Sequence, residues 1–518
     1  MHPGSLKSSN FDVHPKNDGI DRSFEQITEL AKAARRSLQI VQEAGRADGV
    51  SFSQRLQLSG RLILGNDIAG LILSFGLAGL CAWGIDTHLI DVPFQRLVSN
   101  DTARQTLGFA LLGFVAILWL DAKGHYRQRL PYWEAVGHIV TVTLVGLIGS
   151  GFIQFAFKDS SSRLWTSLSW LMFGSSLFMS RVLVRRGLHR RGLWEIPALM
   201  IGTGQTAKAV LAALNKNKAM GFRFVDHIPA TTLDSFAQSQ AWESLLHSHD
   251  ACQVFLALEG GELEKQQAAL KSLAMARIPC SIVPPWFGLP CSTLSSHHFL
   301  MQDILLLHDT KRLELPLPRL LKRSFDCIVS AVLLVLLAPV FAVIAFLVSR
   351  DGGPAIFSQP RVGRYGQLFQ CYKFRSMRVD AEQILATHLA ENPEASAEWL
   401  KFQKLKNDVR VTRFGQFIRR ISLDELPQLF NVFKGDMSLV GPRPILRGQE
   451  SLYADDIDYY TAVRPGITGP WQVSGRNQLT FAQRVELESW YTRNWSLWLD
   501  IVILLKTIPA LLEKGQAF

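Results

Sequence analysis

Leu333-Leu334-Val335-Leu336-Leu337-Ala338-Pro339-Val340-Phe341-Ala342 is the middle of an apolar run from Phe325 to Val348. Whether that run crosses a membrane or turns back decides the fold of everything after it. Roughly 24 residues rising ~1.5 Å each suffice to cross a ~30 Å hydrocarbon core as a helix. Flanking charge does not choose, because Arg319, Lys322 and Arg323 precede the run while Arg350, Arg361 and Arg364 follow it. Pro339 does choose. A proline inside a straight helix removes a hydrogen bond and costs ~3 kcal/mol, and it costs less where the chain already bends. The backbone groups freed at a bend then need partners from the other half-helix or from surrounding protein. The run therefore reads as a re-entrant helix over 325–348, bent at Pro339, with Lys322 and Arg350 on one side of the membrane.

Upstream, the chain is too long for one domain at 518 residues, and 48% of it is hydrophobic. Its mean hydropathy is positive, which places part of it in a membrane. The net charge of +11 suits anionic lipid, a phosphorylated substrate or nucleic acid. No zinc-finger spacing or RNA-binding signature accompanies that charge, so no nucleic acid is expected. The six cysteines are scattered without a CxxC pair, as in a reducing compartment. His297-His298 lacks a metal-ligand spacing. Residues 1–60 are polar and read as a cytoplasmic N-terminal segment without a cleavable signal peptide. Within it, 23–45 reads as a polar helix whose Lys32, Arg35 and Arg36 face solvent or lipid headgroups.

Four apolar runs near 66–85, 107–121, 136–157 and 165–183 approach the ~20 residues of a span. They predict a four-helix transmembrane bundle over 61–186. Lys123, Arg127 and Arg129 follow the second run, and Arg181, Arg185, Arg186, Arg190 and Arg191 follow the fourth. The loop 86–106 holds only Arg96 and Arg104, so both ends of the bundle should be cytoplasmic. No ionisable residue is expected deep in a span.

Residues 195–310 change character. Short apolar strands at 197–201, 222–226, 254–258 and 278–283 alternate with helical stretches, and Gly202-Thr203-Gly204-Gln205-Thr206-Ala207 turns the first strand into a helix. This is a Rossmann-like pattern with a dinucleotide-type fingerprint. Gly204 and the helix N-terminus suit a phosphate, and Asp226 sits where a ribose-binding acid belongs. Small size and the lack of a catalytic constellation favour a regulatory or dimerising domain over a nucleotide enzyme.

Downstream, two adjacent carboxylates, Asp424 and Glu425, follow Arg410, Arg413, Arg419 and Arg420. On a helix over 424–433 they point ~100° apart and can serve one site in different roles, or they simply start a solvated helix. Lys373 and Arg375 either supply cationic charge to a phosphate there or pair with Asp436. Trp495, Trp498, Lys506 and the apolar stripe 496–512 suggest a helix lying at a membrane interface, or else a buried core helix.

Ordered words surround the acid pair: Lys322-Arg323-Ser324-Phe325-Asp326, Phe357-Ser358-Gln359-Pro360-Arg361-Val362-Gly363 and Tyr372-Lys373-Phe374-Arg375-Ser376-Met377. Ser422-Leu423-Asp424-Glu425-Leu426-Pro427-Gln428, Asp436-Met437-Ser438-Leu439-Val440-Gly441-Pro442-Arg443-Pro444, Arg464-Pro465-Gly466-Ile467-Thr468-Gly469-Pro470-Trp471-Gln472-Val473-Ser474-Gly475-Arg476-Asn477 and Asn494-Trp495-Ser496-Leu497-Trp498 complete the set. With these words, residues 317–518 resemble the polyprenyl-phosphate hexose-1-phosphate transferases, the monotopic phosphoglycosyl transferases. The long form resembles the undecaprenyl-phosphate galactose phosphotransferases of O-antigen and exopolysaccharide assembly. Ala338-Pro339 stands where that family commonly has Ser-Pro at its re-entrant bend. Pro470 stands where long-form relatives usually have Leu.

The resemblance implies a fold and a reaction. The fold is a membrane α-helical bundle of four transmembrane helices, a Rossmann-like α/β domain and a monotopic α+β catalytic domain with a re-entrant membrane helix. The reaction passes hexose-1-phosphate from a UDP-hexose, galactose or else glucose, to undecaprenyl phosphate with release of UMP. Asp424 would be the nucleophile and Glu425 a base, with both as ligands of Mg²⁺. Lys373, Arg375, Arg443, Arg464 and Arg476 would hold phosphates or nucleotide. A homodimer at the bacterial inner membrane, with the catalytic domain on the cytoplasmic face, completes the expectation. A membrane-bound nucleotide-sensing regulator is the alternative.

Overall fold

The computed structural model describes residues 52–89, 100–158, 162–235, 239–276, 278–285, 294–298, 305–309, 313, 315–394, 396, 408–475 and 479–512. The helix expected at 23–45 and Arg476 lie outside them. The chain forms two compact units, Met1–Pro285 and Trp286–Phe518.

In the first unit, helices α1 (Phe52–Leu89), α2 (Asn100–Ala122), α3 (Tyr132–Ala156) and α4 (Arg163–Arg190) cover the four apolar runs, and each is long and apolar enough to cross a membrane. Small residues let them close on each other: a Cβ on Gly146 would overlap the Trp170 ring, and one on Gly174 would overlap Thr143. Trp170 is fully buried and donates through Nε1 to Ser150 Oγ at 2.7 Å. Leu111, Ile148 and Phe152 point outward, each more than half exposed.

One expectation is corrected here. Asp67 lies inside α1 and is fully buried, and it accepts from Arg181 Nη1 at 2.6 Å and from the Tyr126 hydroxyl at 2.9 Å. Arg181 belongs to α4 rather than to the basic segment after it. A carboxylate is tolerated at this depth because a cation and a hydroxyl both meet it.

The rest of the first unit alternates strand and helix: β1 (Ile196–Ile201), α5 (Gln205–Lys216), β2 (Phe222–Ile228), α6 (Ser239–Ser248), β3 (Gln253–Leu256), α7 (Gly260–Lys265), α8 (Gln267–Met275) and β4 (Cys280–Ile282). Its four strands form one parallel sheet in the order β2-β1-β3-β4. Every residue of β1 is buried, as in a central parallel strand covered on both faces.

The second unit begins with an antiparallel hairpin, β5 (Leu294–His298) and β6 (Leu305–Asp309). The parallel sheet thus ends near residue 282, before the boundary read at 310. Next come α9 (Pro316–Leu336) and α10 (Ala338–Ser349), which together are apolar enough for a span and are bent by 63°. The break falls at Leu337, two residues ahead of Pro339. Pro339 thereby occupies the first turn of α10, where an N–H has no intrahelical acceptor and its absence costs nothing.

Along α9, Lys322, Asp326 and Ser330 form a buried stripe, while Ile328, Val332, Val335 and Leu336 are more than half exposed. α9 thus turns a stripe of polar side chains inward and carries apolar ones outward. Lys322 is held within that stripe by partners far along the chain. Its Nζ donates to Asp500 Oδ2 at 2.7 Å and to the Val440 carbonyl at 3.1 Å. Asp326 accepts from Ser438 Oγ at 2.8 Å and from the Leu439 N–H at 3.1 Å.

Hairpin β7 (Ile356–Val362) and β8 (Leu368–Phe374) pairs Phe357 with Lys373. After it come α11 (Ala381–Glu391), α12 (Arg413–Arg420), α13 (Gln428–Lys434), β9 (Ser438–Val440), α14 (Ile457–Thr461), β10 (Gly466–Thr468), α15 (Phe481–Arg493) and α16 (Leu497–Leu512). β9 and β10 form a short parallel pair. Val432, Met437, Tyr491, Trp495 and Ile503 are buried in one cluster with Phe325, Val329 and Leu333 of α9 packed against it. Trp495 belongs to this core and donates to Asp500 at 3.1 Å, so it is not an interfacial anchor. Leu505 and Ile508 remain exposed on the far side of α16.

Candidate active site

Thr412 caps α12 by accepting from the Gly415 N–H at 2.9 Å. α12 ends in Arg419 and Arg420, and the chain then turns sharply at Ser422, which has φ +58°. A non-glycine residue in that left-handed region costs on the order of 1 kcal/mol or more, a strain that clusters at functional sites. Beyond it, Leu423–Glu425 form a single 3-10 turn, and α13 starts only after Pro427. The acid pair thus sits on a tight turn rather than on the α-helix expected over 424–433. Successive residues there diverge by ~120°, which gives two bonded neighbours separate surroundings.

Asp424 is 9% exposed and forms no ion pair among the described residues. Burial raises its carboxyl above the ordinary range, against the pull of Lys373, and the charge of Glu425 adds to the rise. Glu425 Oε1 receives Lys373 Nζ at 2.7 Å and Arg443 Nη2 at 3.5 Å. Burial alone would raise this carboxyl too, but Lys373 and then Arg443 outweigh it and hold Glu425 at about 2. At neutral pH Glu425 is a fixed anion between two cations, and beside it lies a buried carboxylate that forms no ion pair among the described residues.

Of the five expected phosphate-binding residues, the structure brings Lys373 and Arg443 to this pair. Arg375 lies elsewhere: its guanidinium donates to the Val348 carbonyl at 3.0 Å and pairs with Asp351, holding the end of α10. Arg464 donates to the Gly435 carbonyl at 2.7 Å, just past the end of α13. Asp436 pairs with Lys434 at 3.3 Å rather than with Lys373 or Arg375. Two further cations approach the carboxylates. Arg361, within a word already quoted, donates to the Pro444 carbonyl at 3.4 Å and acts on Glu425. Arg419 donates to Ser376 Oγ at 2.8 Å and draws the Asp424 carboxyl down.

The other candidate, the glycine turn before α5, lies where the strand order reverses between β1 and β3. The Thr206 N–H at the start of α5 donates to Glu259 Oε1 at 3.0 Å, and a Cβ on Gly204 would overlap that same carboxylate. The chain itself supplies the anion at this helix N-terminus. Asp226 is likewise engaged, by the His227 N–H at 2.7 Å and by His249 Nε2 at 3.4 Å.

Comparison with known proteins covers the region of the first site. Residues 317–514 match the bacterial sugar transferase family. The undecaprenyl-phosphate galactose phosphotransferase of Salmonella typhimurium is 37% identical over 458 residues, 86% of this chain and 96% of its own. The UDP-galactose-lipid carrier transferase of Erwinia amylovora is 36% identical over 460 residues, 86% of this chain and 93% of its own. The exopolysaccharide production protein ExoY of Rhizobium meliloti is 45% identical over 203 residues, 39% of this chain and 90% of its own. Two relatives of nearly the same length and a match across the whole acid-pair region carry the conclusion: the chain belongs to the bacterial sugar transferase family, and it is an enzyme of the phosphoglycosyl transferase class.

Proposed function

We propose that this enzyme transfers galactose-1-phosphate from UDP-galactose to undecaprenyl phosphate at the cytoplasmic face of the bacterial inner membrane, starting a surface glycan. The observation that carries the reading is the division of labour in the acid pair. Glu425 is committed to Lys373 and Arg443, which leaves Asp424 as the carboxylate with an uncommitted oxygen. Asp424 attacks the β-phosphorus of the UDP-sugar, and the bond from that phosphorus to the bridging oxygen breaks to release UMP. An oxygen of undecaprenyl phosphate then attacks the same phosphorus, and the Asp424 carboxylate leaves. Glu425 keeps Lys373 and Arg443 aligned on the phosphates. The names of the two long relatives favour galactose over glucose.

Asp424 and Oε2 of Glu425, the oxygen that Lys373 and Arg443 do not meet, would hold Mg²⁺. Among the described residues no group of three or more His, Cys, Asp or Glu converges. Two adjacent carboxylates still fit Mg²⁺, which keeps its waters and takes its remaining ligands from substrate phosphates. When bound, the ion neutralises diphosphate charge so that an anionic nucleophile can approach.

The Rossmann-like reading of residues 195–310 and the re-entrant reading of α9–α10 belong to this proposal. The polar inner stripe of α9 supports the latter, since it leaves only one face for lipid. A nucleotide-sensing role is disfavoured by Glu259, which fills the phosphate position at α5. The direct test is Asp424→Asn in membranes supplied with UDP-galactose and undecaprenyl phosphate. UMP release should fall to background while the protein stays folded, and substantial transfer by that variant would overturn the covalent route. Wild-type rates with UDP-galactose and UDP-glucose side by side test the sugar.

A further inference from the structure

Arg443 lies between Pro442 and Pro444, neither of which has an N–H. Its own N–H is the single main-chain donor of that triplet, and it donates to Glu488 Oε1 at 3.0 Å. Its carbonyl accepts from Arg484 Nη2 at 3.2 Å. Arg484 and Glu488 are one turn apart on α15 and joined to each other, Nε to Oε1, at 3.0 Å. The Tyr453 hydroxyl donates to the second Glu488 oxygen and accepts from Arg484 Nη2 at 3.3 Å. The side chains of Arg443 and Arg484 both lie over the Trp471 ring, at 5.5 and 5.2 Å from its centroid.

Glu488 is 1% exposed. An ion pair so deep seldom adds net stability over an apolar pair of the same size, because desolvating both charges offsets their attraction. What this pair does is grip both main-chain groups of one functional residue. With N–H, carbonyl and ring contact all assigned, the freedom left to Arg443 is the direction of its guanidinium, which reaches Glu425.

We propose that Glu488 and Arg484 are positioning residues that clamp Arg443 and so set the aim of its guanidinium at Glu425 and the substrate phosphate. The clamp rests on the proposed role of Arg443 in phosphate binding, and its test separates the two. In the full-length enzyme reconstituted in lipid nanodiscs, Glu488→Ala should lower kcat/KM for the UDP-sugar by roughly 10- to 100-fold, the scale of an ångström of misplacement. Glu488→Gln, which keeps an acceptor oxygen for Arg443, should recover most of that loss. The double variant Glu488→Ala/Arg443→Gln should be no slower than Arg443→Gln alone, because the clamp acts only through Arg443. Losses that multiply would overturn the proposal. If Glu488→Ala does not fold, Arg484→Gln takes its place in the same cycle, with the same expectation.

Hydrogen exchange of the Arg443 amide, followed without substrate, reads the clamp alone. It should quicken in Glu488→Ala and stay near wild type in Glu488→Gln, and unchanged exchange in Glu488→Ala would also overturn the proposal. Failure of the wild-type enzyme to release UMP would instead sink the proposed reaction, while amide exchange still judges the clamp.

Discussion

Asp424 and Glu425 are bonded neighbours held on opposite sides of the ordinary carboxylate range, and that separation predicts how activity responds to acid. Asp424 must be ionised to attack phosphorus. Its pKa is raised, so the acid limb of kcat/KM should lie above that of an ordinary aspartate. Lys373 lowers this pKa and the Glu425 charge raises it. Lys373→Gln should therefore move the limb to higher pH, and Glu425→Gln should move it to lower pH. Both profiles are read as positions along the pH axis, so a change in maximal rate does not confuse them. Limbs that shift together, or not at all, would remove Asp424 as the titrating group. Much of this was legible in the sequence: the acid pair, Lys373 and Arg443 all stand in the quoted words. Arg375 and Arg464 stand in the same words yet serve helix ends, because a word marks a residue without saying which way its side chain points. Glu488 offered no signal at all. A lone acid in a mixed helix acquires its role only when Arg443 folds against it from 45 residues away.

At the scale of elements, the bent pair α9–α10 carries the topological claim. If it enters and leaves one leaflet, single cysteines at Ser324 and Ser349, in a background without other reactive cysteines, should both be labelled from the cytoplasmic side only. Labelling of Ser349→Cys from the periplasm would make the pair a true span and place Asp424 on the periplasmic face. The apolar run and its bend were readable because length and proline are local signals. The bend was read two residues late, since the proline sits in the first turn of the second half-helix instead of inside the kink. The buried stripe of α9 was out of reach, because Asp500, the partner of Lys322, comes from far along the chain.

For the whole molecule, the family match begins at residue 317 and the chemistry lies within it. A truncation starting at Leu317 should keep measurable UMP release at a reduced rate and lose oligomeric order. No activity from a well-folded truncation would show that the preceding residues complete the site. Four apolar helices and a parallel α/β sheet were both foreseen, because hydrophobic periodicity reports them directly. The fate of the glycine turn was not, since its partner Glu259 comes from the loop after another strand.

That carboxylate makes the turn a matter of competition. Glu259 is tethered, and a tethered group acts at an effective concentration of about millimolar or above. A free phosphate compound present at micromolar levels starts ~1000-fold behind, so its remaining contacts would have to add about 4 kcal/mol merely to draw level. At this turn the middle domain is in this sense already liganded by its own chain.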